Sequence, residues 1–344
     1  MEPVVFFSER FDTAVIKELF EKTCQCENGD IGKSDKVAIK VHFGEKGNSR
    51  FVSPQNIKPV IDSLKIRTDN FFLTDANTLY RGMRLNATDH LKIAMEHGFG
   101  SLETPILIAD GEHGDDEEHV EIGKKIFASV KIGRQIADAD AIVAISHLKG
   151  HMLFGFGGAI KNIGMGSGSR AGKLEMHSKI KLSVGISCIA CEQCVENCAA
   201  DAITIEGDRA LIDEDKCIGC AKCISVCDQE AIAIPWSGAT NIEVQERCAE
   251  YAFGVLKNKK CICITFINNI SKDCDCMADT RIIGRDVGIV ASTDPVACDQ
   301  AAYDLVVEKD GNIFKKVTGV EGQHILDYSE EIGLGKKAYR LVRV

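Results

Sequence analysis

Two runs of cysteine carry the clearest chemistry in the chain. They read Cys188-Ile-Ala-Cys191-Glu-Gln-Cys194-Val-Glu-Asn-Cys198 and Cys217-Ile-Gly-Cys220-Ala-Lys-Cys223-Ile-Ser-Val-Cys227. Each is C-x2-C-x2-C-x3-C, a spacing that wraps three thiolates round one [4Fe–4S] cube and sends the fourth to a neighbouring cube. The predicted ligand sets are Cys188, Cys191, Cys194 with Cys227, and Cys217, Cys220, Cys223 with Cys198. Zinc ribbons use two C-x2-C pairs and not four-cysteine runs, so two tandem runs point to two iron–sulfur clusters. The runs also form an internal repeat: CIACEQCVENCAADAITI aligns without gaps on CIGCAKCISVCDQEAIAI, twenty-nine residues further on.

A second group of residues suits an anionic ligand. Lys40-Val-His42, Asp75-Ala-Asn77, Ser146-His-Leu-Lys-Gly-His151 and Asn268-Asn269 concentrate polar groups after apolar runs that read as strands. In open α/β sheets, ligands bind outside the carboxyl ends of the strands. The third segment leads into a run with glycines at 155, 157, 158, 164, 166 and 168. From Lys149 to Lys181 six bases (Lys149, Lys161, Arg170, Lys173, Lys179, Lys181) face one acid, Glu175. Backbone amides of such a run could approach an anion closely while the bases neutralise it; the bland alternative is a flexible loop with solvated bases. No Walker A sequence is present, and no G-x-G-x-x-G follows a strand, so a nucleotide has no support. His147 and His151 are four apart, a metal-ligand spacing on a helix, but Gly150 between them argues against that helix. Cys274-Asp-Cys276 follows a buried-type strand and is a candidate for a further metal or a redox pair. Cys261 and Cys263 alternate within a strand and read as core. Cys24 and Cys26 read as incidental residues of a polar loop.

The elements that would position these groups form an α/β pattern. Asp12 caps a helix carrying Val15, Ile16, Leu19 and Phe20 inward, and Ser53-Pro54 opens another. Val37–Phe43, Phe71–Thr74, Pro105–Ala109, Ala141–Ile145, Cys261–Ile267 and Val287–Ala291 read as strands, mostly of the continuous apolar kind that a sheet covered on both faces requires. Asp89–His97, Ile242–Leu256 and a segment from Pro295 to Val306 read as helices, the last capped by Asp294. His113–Glu121, rich in acids and histidine, reads as a solvent loop. Such alternation predicts a layered α/β domain with a largely parallel sheet. Neither flank of the cysteine segment looks complete alone. The predicted organisation is therefore one discontinuous α/β domain, residues 1–182 and 237–344, with an inserted α+β module at 183–236.

Composition narrows the setting. Sixteen cysteines in a 344-residue chain without a secretory signal argue for thiol and metal chemistry in a reducing compartment, so a cytoplasmic location is expected. No apolar run approaches a membrane span. The net charge is −10, and Cys188–Trp236 alone holds ten acids against three bases. Nothing resembles the basic stripe of a nucleic-acid binder, whereas an acidic face on an electron-carrying module suits a basic redox partner protein.

Residues 183–236 resemble the bacterial-type two-[4Fe–4S] ferredoxin domain, including a hairpin signal at Gly207-Asp208. They depart from it after each fourth cysteine, where Ala199 and Asp228 replace the usual Pro. Over essentially its whole length the chain resembles domain-of-unknown-function family 362. The resemblance rests on Lys149-Gly-His151, Gly157-Gly-Ala-Ile-Lys-Asn-Ile-Gly-Met-Gly166, Asp273-Cys-Asp-Cys276 and Gly288-Ile-Val-Ala-Ser-Thr-Asp-Pro-Val296. It implies a site built from Lys149, His151, Lys161, Asn162, Cys274, Cys276 and Asp294, and supplies no activity. The leading expectation is an iron–sulfur oxidoreductase relaying electrons to a site that binds a small anionic substrate. In that reading Lys149 and Lys161 bind, together with the glycine-rich backbone, and His42, His147 or His151 supply protons. The alternatives are a non-catalytic carrier docking a protein partner, and a non-redox enzyme with structural or sensing clusters.

Overall fold

The computed structural model describes residues 2–178, 182–236 and 238–344. Eight strands, numbered along the chain, build the central sheet: β1 (Val4–Ser8), β2 (Val37–Val41), β3 (Phe71–Asp75), β4 (Ile106–Ile108), β5 (Ala141–His147), β6 (Lys260–Ile267), β7 (Gly288–Ser292) and β8 (Arg340–Arg343). Their spatial order is β8-β1-β7-β6-β5-β2-β3-β4. Only β7 runs against the others: it pairs antiparallel with β1 and β6, and every other neighbouring pair is parallel. The fold is the α/β class expected, with its largely parallel sheet.

The apolar strands are continuous because each face of the sheet meets its own core. Ala38, Ile142, Ala144, Cys261 and Cys263 enter one core, while Val37, Ile39, Val41, Val143, Ile145, Ile262 and Ile264 enter the other. This is the two-residue alternation of a strand buried on both sides. Helices Thr13–Cys24, Pro54–Leu64 and Ala87–Glu96 cover the second face. Helices Ala159–Ser167, Asn241–Leu256 and Pro295–Asp310 cover the first. Asp12 accepts from Val15 N and Asp294 from Val296 N and Ala297 N, so both predicted caps form. Ser53 makes no side-chain cap, leaving Pro54 as the start signal.

Several local readings change. Cys24 ends the first helix and is buried, because the amphipathic face from Val15 continues to it. The acid-rich segment is in part a strand, Glu117–Glu121, paired antiparallel with Ser129–Gly133. Its alternation was hidden because Val120 is its single apolar residue on the core, whereas the partner strand carries Val130 and Ile132. β1 and β8, both short, pair with each other at the sheet edge through residues at opposite ends of the chain. Residues 183–236 contribute two small ribbons, Ser183–Val184 with Ile232–Ala233 and Ile203–Glu206 with Arg209–Ile212, around a third core. Among the described residues no helix is long and apolar enough to cross a membrane.

Candidate functional site

Parallel strands end at one edge of a sheet, and here the chain reverses its direction of travel across the sheet between β2 and β5. From β2 it proceeds outward through β3 to β4; from β5 it proceeds the other way to β6. A crevice opens at such a reversal. It is occupied by a cavity of about 700 Å3 whose lining includes Lys40, His42, Asp75, His147, Lys149, His151, Lys161, Asn162, Cys274 and Cys276. Among the described residues six cationic side chains line it against three carboxylates, in a chain whose net charge is −10. Apolar residues such as Leu79, Met152, Met165, Trp236 and Met277 complete the wall.

A buried charge network forms one side. Lys40 Nζ lies 2.9 Å from Asp75 Oδ1, and Arg84 Nη1 lies 3.0 Å from Asp75 Oδ2. Burial alone would raise the Asp75 carboxyl, but Lys40, His90 and Arg84 outweigh it and hold the group well below the usual carboxylate range. Burial pushes the Lys40 ammonium down against the attraction of Asp75. Arg84 also donates to Tyr80 Oη. Arg84, Tyr80, His177 and Trp236 were not identified from sequence. They come from irregular segments without periodicity, and an Arg and a Tyr four apart after Asp75-Ala-Asn77 were the only available hint.

The opposite side is the cysteine turn. Met277 N donates to Cys274 O at 3.0 Å, closing a tight turn that presents both sulfurs to the cavity. Its central Asp275 is fully buried and accepts from Lys149 Nζ at 2.7 Å and from His147 Nδ1 at 3.0 Å. Burial would raise the Asp275 carboxyl, but Lys149 and His147 drive it far below the usual range. His147 Nε2 faces Asn268 O at 2.8 Å, so both of its ring nitrogens face acceptors and it anchors the turn. His147 and His151 share no helix. The first ends β5 and the second lies in a short strand, Lys149–His151. Gly150 is required there: a Cβ would sit 2.2 Å from Lys272 O, so only glycine lets this strand lie against the backbone leading into the turn.

His151 Nδ1 accepts from Leu153 N at 3.1 Å, leaving Nε2–H as a donor, and burial together with Lys161 keeps the ring neutral by lowering it well below the ordinary value. On Cys276, the neighbouring Cys274 thiol draws the group well below its usual range against burial, helped by His42 and Arg84. Cys276 in turn, together with burial, pushes Cys274 up.

The glycine-rich run is not an anion cradle. Gly155–Gly157 is a strand and Ala159–Ser167 a helix. The first helix amides, Ala159 N and Ile160 N, already donate to the buried Asp299 carboxylate at 2.6 and 2.9 Å. A Cβ at Gly164 would meet Cys248 O at 2.3 Å, so this glycine serves close packing against helix Asn241–Leu256. The helix delivers Lys161 and Asn162 to the cavity. Asn162 is engaged by Lys40 Nζ at 2.9 Å and Ser146 Oγ at 3.0 Å. Among the described residues Lys161 Nζ has neither a hydrogen bond nor a carboxylate partner; its neighbour is the Phe154 ring, 5.8 Å away. Burial works against its ammonium, but Cys274, Cys276, Cys248 and Asp275 outweigh it and raise the group. Asp294 is remote from the cavity lining and serves as a helix cap that also accepts from Lys336 N. Of the basic island, Arg170 is buried and bonded to Thr78 O and His113 O, and Lys179 and Lys181 lie outside the described residues.

The eight remaining cysteines of interest surround two small hollows. Cys188, Cys191, Cys194 and Cys227 line one; Cys198, Cys217, Cys220 and Cys223 line the other. The repeat extends to the backbone. Left-handed φ occurs at Ala190 and Gly219, at Glu192 and Ala221, and at Asp201 and Glu230, three pairs each twenty-nine residues apart. Such φ at five non-glycine positions is uncommon and characteristic of ligand clamps. Amides of Ala202, Ala210 and Ala231 donate to the sulfurs of Cys198, Cys188 and Cys227, each at 3.3 Å. This cysteine core packs on the cavity wall: Leu79 belongs to both, and Lys222–Asp115 at 3.0 Å and Arg81–Glu230 at 3.6 Å tie the two together.

No curated protein matches the chain. Among solved structures it is similar to the lactate racemase apoprotein from Thermoanaerobacterium thermosaccharolyticum, at 15% identity and a TM-score of 0.36. That alignment covers 66% of this chain and 48% of the other, so the chain spans about half the length of that protein. The family model described as Domain of unknown function (DUF362) matches residues 37–304, which takes in the cavity, the cysteine turn and both cysteine runs. On that match, the chain belongs to the DUF362 family.

Proposed function

We propose that this chain is an iron–sulfur oxidoreductase that passes electrons from an outside carrier to an organic anion bound in the cavity. The observation that carries this reading is a contact: the core beneath the two four-cysteine hollows, to which five of the eight cysteines belong or pack, shares Leu79 with the wall of a cation-lined cavity. Cys188, Cys191, Cys194 and Cys227 would hold one [4Fe–4S] cluster, and Cys198, Cys217, Cys220 and Cys223 the other; bound there, they supply one-electron transfer. The amide bonds to three of these sulfurs fit thiolate ligands, which need such donors. Lys161, without a carboxylate partner among the described residues, binds the anionic group, and His151 Nε2–H orients it. Lys149, Asp275 and His147 hold the cysteine turn in place. The apolar wall takes the body of the ligand and excludes water, as is usual in cavities of this size. Ten acids on Cys188–Trp236 favour a basic redox protein as the carrier. The thiol content favours a cytoplasmic setting.

Anaerobic purification with iron and sulfide analysis, followed by reductive EPR titration, tests the proposal. Brown protein with iron and sulfide for two cubes, and interacting paramagnetic centres on reduction, is expected. Colourless, iron-free protein with zinc on those thiols would refute it. Thermal-shift screening of organic carboxylates on wild type and Lys161→Met tests the anion site.

A further inference from the structure

The function above leaves the Cys274–Cys276 turn with no part in the chemistry. Its surroundings are specific. Gly44 N donates to His42 Nδ1 at 3.0 Å, which places the imidazole proton on Nε2. That nitrogen lies 3.3 Å from Cys276 Sγ, so it donates to the sulfur. Gly44 must be glycine for this: its φ is +81° and a Cβ would meet the Phe51 ring at 2.4 Å. A neutral imidazole N–H stabilises a thiolate. A metal at this sulfur would instead meet the buried Arg84 guanidinium and Lys149 ammonium, which repel a cation. Cys274, two residues earlier on the same turn, is buried and lines the same cavity. The turn is held by Glu45 N to Asp275 O at 3.0 Å and by Asn48 Nδ2 to Met277 O at 2.9 Å.

We propose that Cys276 and Cys274 are a nucleophilic and a resolving thiol, forming a dithiol–disulfide couple that acts on an organic disulfide bearing carboxylates. The substrate class follows from the walls: a thiolate attacks disulfide sulfur, Lys161 binds a carboxylate, and the apolar residues accommodate the remainder. In the first step the Cys276 thiolate attacks one sulfur of RS–SR′. A bond from Cys276 to SR forms, the S–S bond breaks, and R′S⁻ leaves and takes a proton from solvent. Cys274 then loses its proton and its sulfur attacks Cys276, closing the protein disulfide and expelling RS⁻, which is protonated. The substrate gains two electrons and two protons, and the dithiol loses two electrons. Returning the couple to the dithiol takes two electrons from reduced one-electron iron–sulfur donors and two protons from solvent. The depressed Cys276 thiol and the raised Cys274 thiol agree with these roles. The inference rests on the cavity being the substrate site of the proposed oxidoreductase.

The test exploits the sequence: trypsin releases Asp273–Arg281, a peptide whose only cysteines are these two. Full-length, anaerobically purified protein is treated with oxidised glutathione, quenched with an alkylating agent and digested. Wild type should yield this peptide two hydrogens lighter and unalkylated, with release of two glutathione thiols per chain. Cys274→Ser should stop at a stable glutathione adduct on Cys276, and Cys276→Ser should give no adduct on this peptide. His42→Phe should slow adduct formation at least tenfold and move its pH profile upward, which a merely structural role would not do. If the peptide stays a dithiol under excess disulfide, or holds a metal that protects both thiols, the inference is overturned. Iron content and EPR on the same samples separate the two readings. Iron-loaded protein with an inert turn sinks only the thiol couple; disulfide cycling in protein that never binds iron sinks only the cluster relay.

Discussion

Replacing Asp299 by Asn gives a quantitative probe of the helix that carries Lys161 into the cavity. Asp299 is 1% exposed, and its carboxylate meets the first two amides of that helix. Gly158 leaves room for it, since a Cβ there would lie 2.3 Å from Asp299 Oδ1. Burial raises the carboxyl from 3.8 to about 7, the two amide bonds only partly offsetting it. Below pH 3.8 the group is protonated in both folded and unfolded chains; between there and about 7 the folded chain keeps the proton and the unfolded chain has lost it. The stability associated with this group is therefore present at low pH and lost as pH rises through that window. At 1.36 kcal/mol per pH unit, the displacement amounts to about 4 kcal/mol in all, and to about 3 kcal/mol between pH 5 and 7.5. Asn cannot ionise, so the stability of wild type minus that of Asp299→Asn should fall by about this amount across the interval. His90 and His177, both pushed by burial to about 4, titrate in the opposite sense but equally in both proteins. Urea unfolding of both proteins at half-unit pH steps measures the difference. A difference that does not vary with pH, or that grows with pH, would refute the assignment of a buried, proton-holding cap.

Asp275→Asn strands the buried Lys149 and its neighbour His147, and should cost about 3 kcal/mol or more, measured by urea unfolding at pH 7. Adding Lys149→Met should recover part of that loss, because the unpaired charge goes with it. Lys161→Met should leave stability nearly unchanged, having no hydrogen-bond or carboxylate partner among the described residues, yet weaken the best-binding carboxylate about tenfold to a hundredfold by calorimetry. Gly150→Ala forces a methyl onto Lys272 O and should destabilise by about 1–3 kcal/mol in urea unfolding, while also loosening the cysteine turn as read by its alkylation rate.

The strands and most helices were legible because their signals are local. Two-residue alternation hidden inside continuous apolar runs, an Asp or Ser before a helix and a Pro after it are all contained within a few adjoining residues. The loop geometry of the cysteine runs was legible in the same way, and the equivalence of Ala190 with Gly219 or Asp201 with Glu230 follows from the repeat. The glycine-rich run was misread because glycine spacing alone does not distinguish an anion loop from close packing. Gly164 is explained by Cys248 O and Gly158 by Asp299, partners eighty-four and one hundred and forty-one residues away.

What the sequence determined by itself is the inventory: two matched sets of thiols, polar residues at strand ends, and elements able to hold them. Which of those residues meet was decided by tertiary structure. Asp75 joins Lys40, and Asp275 joins Lys149, because β2 lies between β3 and β5 and because Gly150 admits the 271–272 backbone. Propensity acts between near neighbours in the chain, whereas a buried charge is stable only beside a partner that the strand order brings to it. The same ordering made the cavity, leaving Lys161, among the described residues, without a carboxylate and both cysteines of the turn in its lining.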